Sequence, residues 1–295
     1  MYEIVYSNQQ IKGDIAYLNY LIKKYQVTLI EGTGLKKLIN ECEHYIKITE
    51  EFTQEELKPL TVLNSLVRSL KSLWLKNVDF KSPLGSMNSG NYQYGKTDGK
   101  MDHFFKDFEF EIFSAGQLCQ NGIDVDLPRH TAGEDLVVGE IDIQCKHPST
   151  TNQVDGLISD FNTRLNSSKR YGVFAMAVED CFGYGERNLF ESVDDFNNFM
   201  KTKSEAAEIV LQKIFENRLA KSTRILGLYT TSSFFINING EGLQMIRLTN
   251  SVFCFRPDRN EIKDEMYKQA YKIVETFNPH PSWLTIEKQE LISVN

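Results

Sequence analysis

The densest run of residues able to do chemistry is GEDLVVGEIDIQCKHP, residues 133–148. It sets Asp135, Asp142, Gln144, Lys146 and His147 among short apolar runs. Gly139-Glu140, with glycine first, suits a type II′ hairpin turn. Counting outward places Val138 opposite Ile141, Val137 opposite Asp142, Leu136 opposite Ile143 and Asp135 opposite Gln144. Directly opposed residues share a face, with Cβ atoms about 4.5–5.5 Å apart. Lys146 follows Gln144 on the same side. One face then carries Asp135, Asp142, Gln144 and Lys146. The other carries Leu136, Val138, Ile141, Ile143 and Cys145, an apolar set suited to a core.

That polar face suits a hard cation. Mg²⁺ takes octahedral oxygen ligands and keeps several waters. Asp135 offers a carboxylate, and the Gln144 side-chain carbonyl and the Cys145 main-chain carbonyl offer neutral oxygens. A bound water becomes a better nucleophile as the ion lowers its pKa. Lys146 is placed to orient that water or to stabilise charge developing on a phosphate. An acid on the preceding helix would complete the set. Asp142, on the same face, reads as a solvated strand residue or as partial compensation for an acid-poor site. His147 reads as a loop histidine beside the lysine. In this register Cys145 packs its side chain into the core.

The order of these residues resembles the PD-(D/E)XK nuclease superfamily. The matching pieces are Glu111-Ile112-Phe113-Ser114-Ala115 on a helix, Gly122-Ile123-Asp124-Val125, Asp135 on a strand, and Gln144-Cys145-Lys146. The resemblance covers about residues 104–180 and is to the variant with Gln at the acid position, as in Mrr-like endonucleases. It implies a restriction endonuclease-like mixed sheet flanked by helices. It implies Glu111, Asp135 and Gln144 as metal ligands, direct or through water, and Lys146 as the catalytic lysine. It further implies Mg²⁺ or Mn²⁺, a nucleic-acid substrate with DNA favoured, and a setting in restriction or antiviral defence. Two departures stand out: Glu134 replaces the proline before Asp135, and Gln144 removes a negative charge. Glu109 rivals Glu111 as the helix acid.

The elements that must position this set follow from periodicity. Residues 10–78 read as helices over 11–25, 35–48 and 55–75, with an apolar stripe from Leu60 to Trp74. Residues 81–100, rich in Gly, Ser and Asn, read as a linker or mobile loop. The expected organisation is a helical region 1–80, that linker, and an α/β domain 101–295. Within the last, helices are expected over 104–120, 154–165, 196–219 and 262–276. Strands are expected over 123–127, 136–138, 141–145, 171–178, 225–229, 233–238, 244–248 and 252–255. Helix–strand–strand–strand–helix–strand order indicates an α/β core with a mixed sheet. The N-terminal helices match no family by eye and are candidates for docking a partner or forming a homodimer.

Composition limits the alternatives. The 295 residues carry a net charge of −7, so no basic surface announces nucleic acid. Any groove must come from local cations such as Arg164, Lys169 and Arg170 on an acidic body. No GxxxxGK[ST] or GxGxxG phosphate loop is present, and the CFGYG piece at 181–185 reads as a turn. Five scattered cysteines show neither zinc-site nor disulfide spacing. A non-secretory N-terminus and the lack of a long apolar run make a cytoplasmic, membrane-free location the expectation.

Overall fold

Apolar residues at helical spacing build the N-terminal third into four helices: α1 (Asn8–Tyr25), α2 (Gly34–Lys47), α3 (Gln54–Leu75) and α4 (Lys81–Ser86). In α3 the expected stripe is buried, with Leu63, Leu66, Val67, Leu70 and Leu73 all essentially inaccessible. The computed structural model describes residues 8–47, 54–88, 90, 104–128, 134–184, 187, 189–219, 222–240, 244–256 and 261–285. The stretch expected to be a linker therefore opens with a helix. Pro83 and Leu84 of α4 are buried, so residues 81–86 are packed structure; residues 91–100 lie outside the described set.

α5 (Phe104–Gln120) joins these helices to the rest. Gly116 lets α3 approach closely, since a Cβ there would stand 2.9 Å from the Ser69 Cβ. One hydrophobic cluster runs from Ile11 and Leu18 through Phe80 and Leu84 to Ile112, Ile143 and Val274. The N-terminal helices are thus packed onto the α/β part by shared apolar burial, the main favourable contribution to such docking.

The remaining elements are β1 (Leu136–Val138), β2 (Ile141–Lys146), α6 (Thr151–Ser168), β3 (Tyr171–Ala177), α7 (Glu179–Phe182), β4 (Leu189–Phe190), α8 (Val193–Leu219), β5 (Ile225–Ile238), β6 (Gln244–Phe255), α9 (Asp264–Phe277) and β7 (Ser282–Thr285). The sheet is mixed, in the order β1-β2-β3-β5-β6-β7, with β4 paired to the far end of β5. β2, β3 and β5 are mutually parallel; β1 and β6 run antiparallel to their neighbours. α5 and α9 cover one face, where Ile143, Cys145, Val173, Ala175 and Tyr229 are buried. α6 and part of α8 cover the other, over Phe174, Met176 and Leu228.

Three expectations are corrected. The strand expected at 123–127 is reduced to a single bridge, Asp126 with Val137. The pairs of strands expected at 225–229 with 233–238, and at 244–248 with 252–255, are each one long strand. Thr230, Thr231, Ser232 and Ser233 interrupt the apolar pattern, but they continue the ladder opposite Asn250, Thr249, Leu248 and Arg247. β-branched and hydroxyl side chains fit a central strand when their polar atoms are served. Among the described residues no helix is long and apolar enough to cross a membrane.

Candidate active site

The hairpin forms as the count requires. Leu136 pairs with Ile143, Val137 with Asp142 and Val138 with Ile141. Of the two turn residues only Gly139 takes positive φ, +56°, as a type II′ turn demands. The ladder stops before Asp135. There the Asp135 carboxylate replaces the next ladder carbonyl, and its Oδ2 accepts the Cys145 N–H at 2.8 Å. Gln144 Nε2 also donates to Oδ2, and Lys146 Nζ stands 3.5 Å from it. The N–H and C=O of a strand residue leave on the same side, so the Cys145 carbonyl also faces this edge.

The register with β3 fixes the other orientations. Gln144 pairs with Phe174 and Lys146 with Met176, so both side chains lie on the α6 side of the sheet. Glu111 comes from α5, on the opposite side. Asp135 sits at the sheet edge between them, which lets residues from both faces meet around the end of β2. Lys146 is 37% exposed in its side chain while Asp135 is 10% exposed, so the cluster opens to solvent through the lysine.

Glu111 is buried, and its Oε2 has no hydrogen-bond partner. Burial pushes its carboxyl well above the ordinary range, and the Asp135 charge pushes it the same way while Lys146 opposes. Glu109, two residues earlier, faces elsewhere and pairs with Arg247 at 3.0 Å. Asp107, four residues before Glu111, lies on the same helix face. Burial pushes Asp107 up to about 6, against the nearby His147 and Lys146 cations, with Asp135 raising it further. Three acids, Asp107, Glu111 and Asp135, therefore share one electrostatic environment.

A second, fully buried charge cluster adjoins them at the C-terminal ends of β2 and β3. Lys106 Nζ lies 3.3 Å from Asp180 Oδ2. His147 Nε2 lies 3.4 Å from Glu179 Oε1 and 3.3 Å from Asp180 Oδ2. Burial alone would lower His147, but Glu179 and Asp180 outweigh it and its pKa is raised. Burial pushes the Asp180 carboxyl up, yet His147 and Lys106 hold it below the usual carboxylate range. His147 is therefore a buried, carboxylate-held residue and not a solvated loop histidine. Glu179 Oε2 also accepts the Ser233 N–H at 3.4 Å, which ties the polar run in β5 to the cluster.

Sequence reasoning overlooked Lys106, Asp107, Glu179 and Asp180. Two signals pointed to them. Asp107 and Glu111 have i, i+4 spacing on one helix, and Glu179-Asp180 directly follows a buried strand, where parallel sheets place their sites. Two expectations fail. Asp142 does not join the site, because Arg170 Nε holds its Oδ1 at 2.6 Å. Lys169 and Arg170 cannot share a phosphate with Lys146. Arg170 precedes Tyr171, which pairs with Ile141, and five residues of strand, about 17 Å, separate that end from Lys146.

The residues present fit a divalent cation in part. Among the described residues no group of three or more His, Cys, Asp and Glu side chains is placed to hold a metal ion. The expected set contains just two such side chains, Glu111 and Asp135, completed by an amide and a main-chain carbonyl. A buried carboxyl oxygen without a partner, Glu111 Oε2, beside a second carboxylate is the feature a cation would satisfy. Gln144 turns its amide nitrogen toward Asp135, and a ligand role needs a half-turn of that amide. The five cysteines are unpaired and take no part through their thiols. No family model matches this chain, no curated protein matches it, and no solved structure matches its fold.

Proposed function

We propose that this protein is a divalent-metal-dependent nuclease with a restriction endonuclease-like core, hydrolysing phosphodiester bonds, with DNA as the favoured substrate. The observation that carries this reading is the convergence of Asp135, Gln144 and Lys146 on the partnerless buried carboxyl of Glu111. Glu111 and Asp135 would hold Mg²⁺ or Mn²⁺ together with the Cys145 carbonyl and a turned Gln144 amide. The ion, when bound, activates water and offsets phosphate charge. Lys146, the most exposed member, meets the scissile phosphate and stabilises the charge that develops there. Asp107 accepts a proton or a water hydrogen bond at the rim, since its carboxyl titrates near neutrality.

The test is plasmid cleavage with Mg²⁺ or Mn²⁺. Cleavage by the wild type is expected to fall at least about a hundredfold in Lys146→Ala, the usual cost of losing an electrostatic stabiliser. Cleavage that survives the substitution would remove Lys146 from the reaction and the reading with it.

A second reading is a nuclease-fold binding module without catalysis. It is favoured by one observation: Asp135 Oδ2 already accepts from Gln144 and Cys145 and faces Lys146. Calorimetric titration decides between them. Mg²⁺ or Mn²⁺ binding that disappears in Asp135→Asn counts against the module. A role in restriction or antiviral defence, in a complex or as a homodimer, rests on the family resemblance alone. Docking through α1–α4 would use their exposed faces, because the apolar faces are packed in the core.

A further inference from the structure

Between α8 and the sheet lies a cavity of about 580 Å³. Protein interiors are close-packed and rarely hold voids beyond a water or two, whereas small-molecule pockets run from about 300 to 1,000 Å³. Its floor is formed by β5 and β6. Leu228, Thr230 and Ser232 alternate along β5, and Val252, Asn250 and Leu248 stand opposite them. Both strands are internal to the sheet, yet Leu248 is 38% exposed and Asn250 is exposed. α8 therefore leaves this part of an internal sheet face uncovered. The polar residues that interrupt the apolar pattern of both strands lie here.

The lining defines the ligand. The roof contributes Ala207, Glu208 and Leu211 from α8. None of the described lining residues is Lys, Arg or His, and Glu208 adds a negative charge, so a phosphate is disfavoured. Leu211 above and Leu248 and Val252 below present apolar walls. The polar groups form one band, Thr230, Ser232 and Asn250, across the floor. Such a slot fits a flat ring with apolar faces and a hydrogen-bonding edge. A sugar, polar all round, would leave hydroxyls against leucine. The Asn250 amide offers a donor and an acceptor side by side, the pattern that pairs with a base edge.

We propose that this cavity binds an uncharged, base-bearing small molecule, a free nucleoside or nucleobase. The proposal does not rest on the nuclease reading. The test is isothermal titration of the full chain with adenosine, guanosine, cytidine and uridine. Saturable binding of at least one nucleoside is expected, weakened about tenfold by Asn250→Ala, the worth of one neutral hydrogen bond. Ala207→Phe, which fills the roof, is expected to abolish it, with a thermal melt confirming that the variant folds. Asn250→Ala sits at an exposed position and keeps the test valid if Ala207→Phe does not fold. The matching 5′-monophosphate is expected to bind more weakly, and Lys146→Ala to bind as the wild type does. No saturable binding of any nucleoside, binding unchanged in Asn250→Ala, or binding of a short single-stranded oligonucleotide but of no nucleoside would each overturn the assignment.

Discussion

Glu109 and Arg247 form an ion pair at 3.0 Å, nearly sealed from solvent, and that pair separates the two candidate acids of α5. Arg247 also stacks its guanidinium 3.7 Å from the Phe113 ring centre and donates to Ser233 Oγ at 2.6 Å. Glu109 is thereby committed to the α5–β6 contact, while Glu111 faces Asp135. Glu109→Gln is expected to cost stability, on the order of 1–3 kcal/mol for a broken buried pair. Metal binding should survive it. Glu111→Gln should show the reverse: little loss or a gain in stability without metal, and lost metal binding by calorimetry.

Gln144→Glu tests the charge deficit of the site. A second carboxylate beside Asp135 is expected to lower the melting temperature in EDTA, because like charges at a buried site repel. Adding Mg²⁺ or Mn²⁺ should more than restore it, through tighter binding linked to folding. A variant whose melting temperature ignores metal would show that no cation sits between these residues.

Asp107 gives a pH dependence with a definite sign. Its carboxyl is pushed up to about 6 in the folded protein, above its ordinary unfolded value. A raised acid contributes stability that is fully present below its unfolded pKa and is lost as pH rises through its folded pKa. Without metal, Asp107→Asn should therefore match the wild type near pH 4. Near pH 8 it should be more stable by on the order of 1–2 kcal/mol. Denaturant melts in EDTA at the two pH values measure this, and a gain equal at both would refute the assigned cause.

The buried cluster beside the site should behave as structure. Asp180→Asn leaves Lys106 and His147 without their shared carboxylate and is expected to cost about 3–5 kcal/mol. Its depressed carboxyl also gives the opposite sign to Asp107. That contribution is present above the ordinary carboxylate range and is lost as pH falls through the lower folded value. A shift of less than about 1 kcal/mol, within the range of exposed pairs, would mean the cluster is solvated.

The turn that starts the hairpin can be tested alone. Gly139→Ala places a side chain at positive φ, and its Cβ would stand 2.3 Å from Gln269 Nε2. A loss of about 1–2 kcal/mol is expected, most of it from the backbone, since the Gln269 side chain can move. Asn at this position should recover part of it, because Asn tolerates that region.

Local pattern sufficed for the hairpin. Turn chemistry at Gly139-Glu140 and alternation along Leu136–Val138 and Ile141–Lys146 fix which residues oppose one another, because both act over a few residues. The helices α1, α2, α3 and α5 were legible for the same reason, their apolar spacing being strong and continuous. Tertiary structure alone decided the rest. The choice of Glu111 over Glu109 depends on Arg247, far along the chain. Asp142 was withdrawn by Arg170, and His147 was buried by Glu179 and Asp180. The polar runs of β5 and β6 read as breaks because a sequence does not show that they face a cavity and a buried charge cluster. A charge acts on whatever the fold brings near it, and that distance is not written in the spacing of residues along the chain.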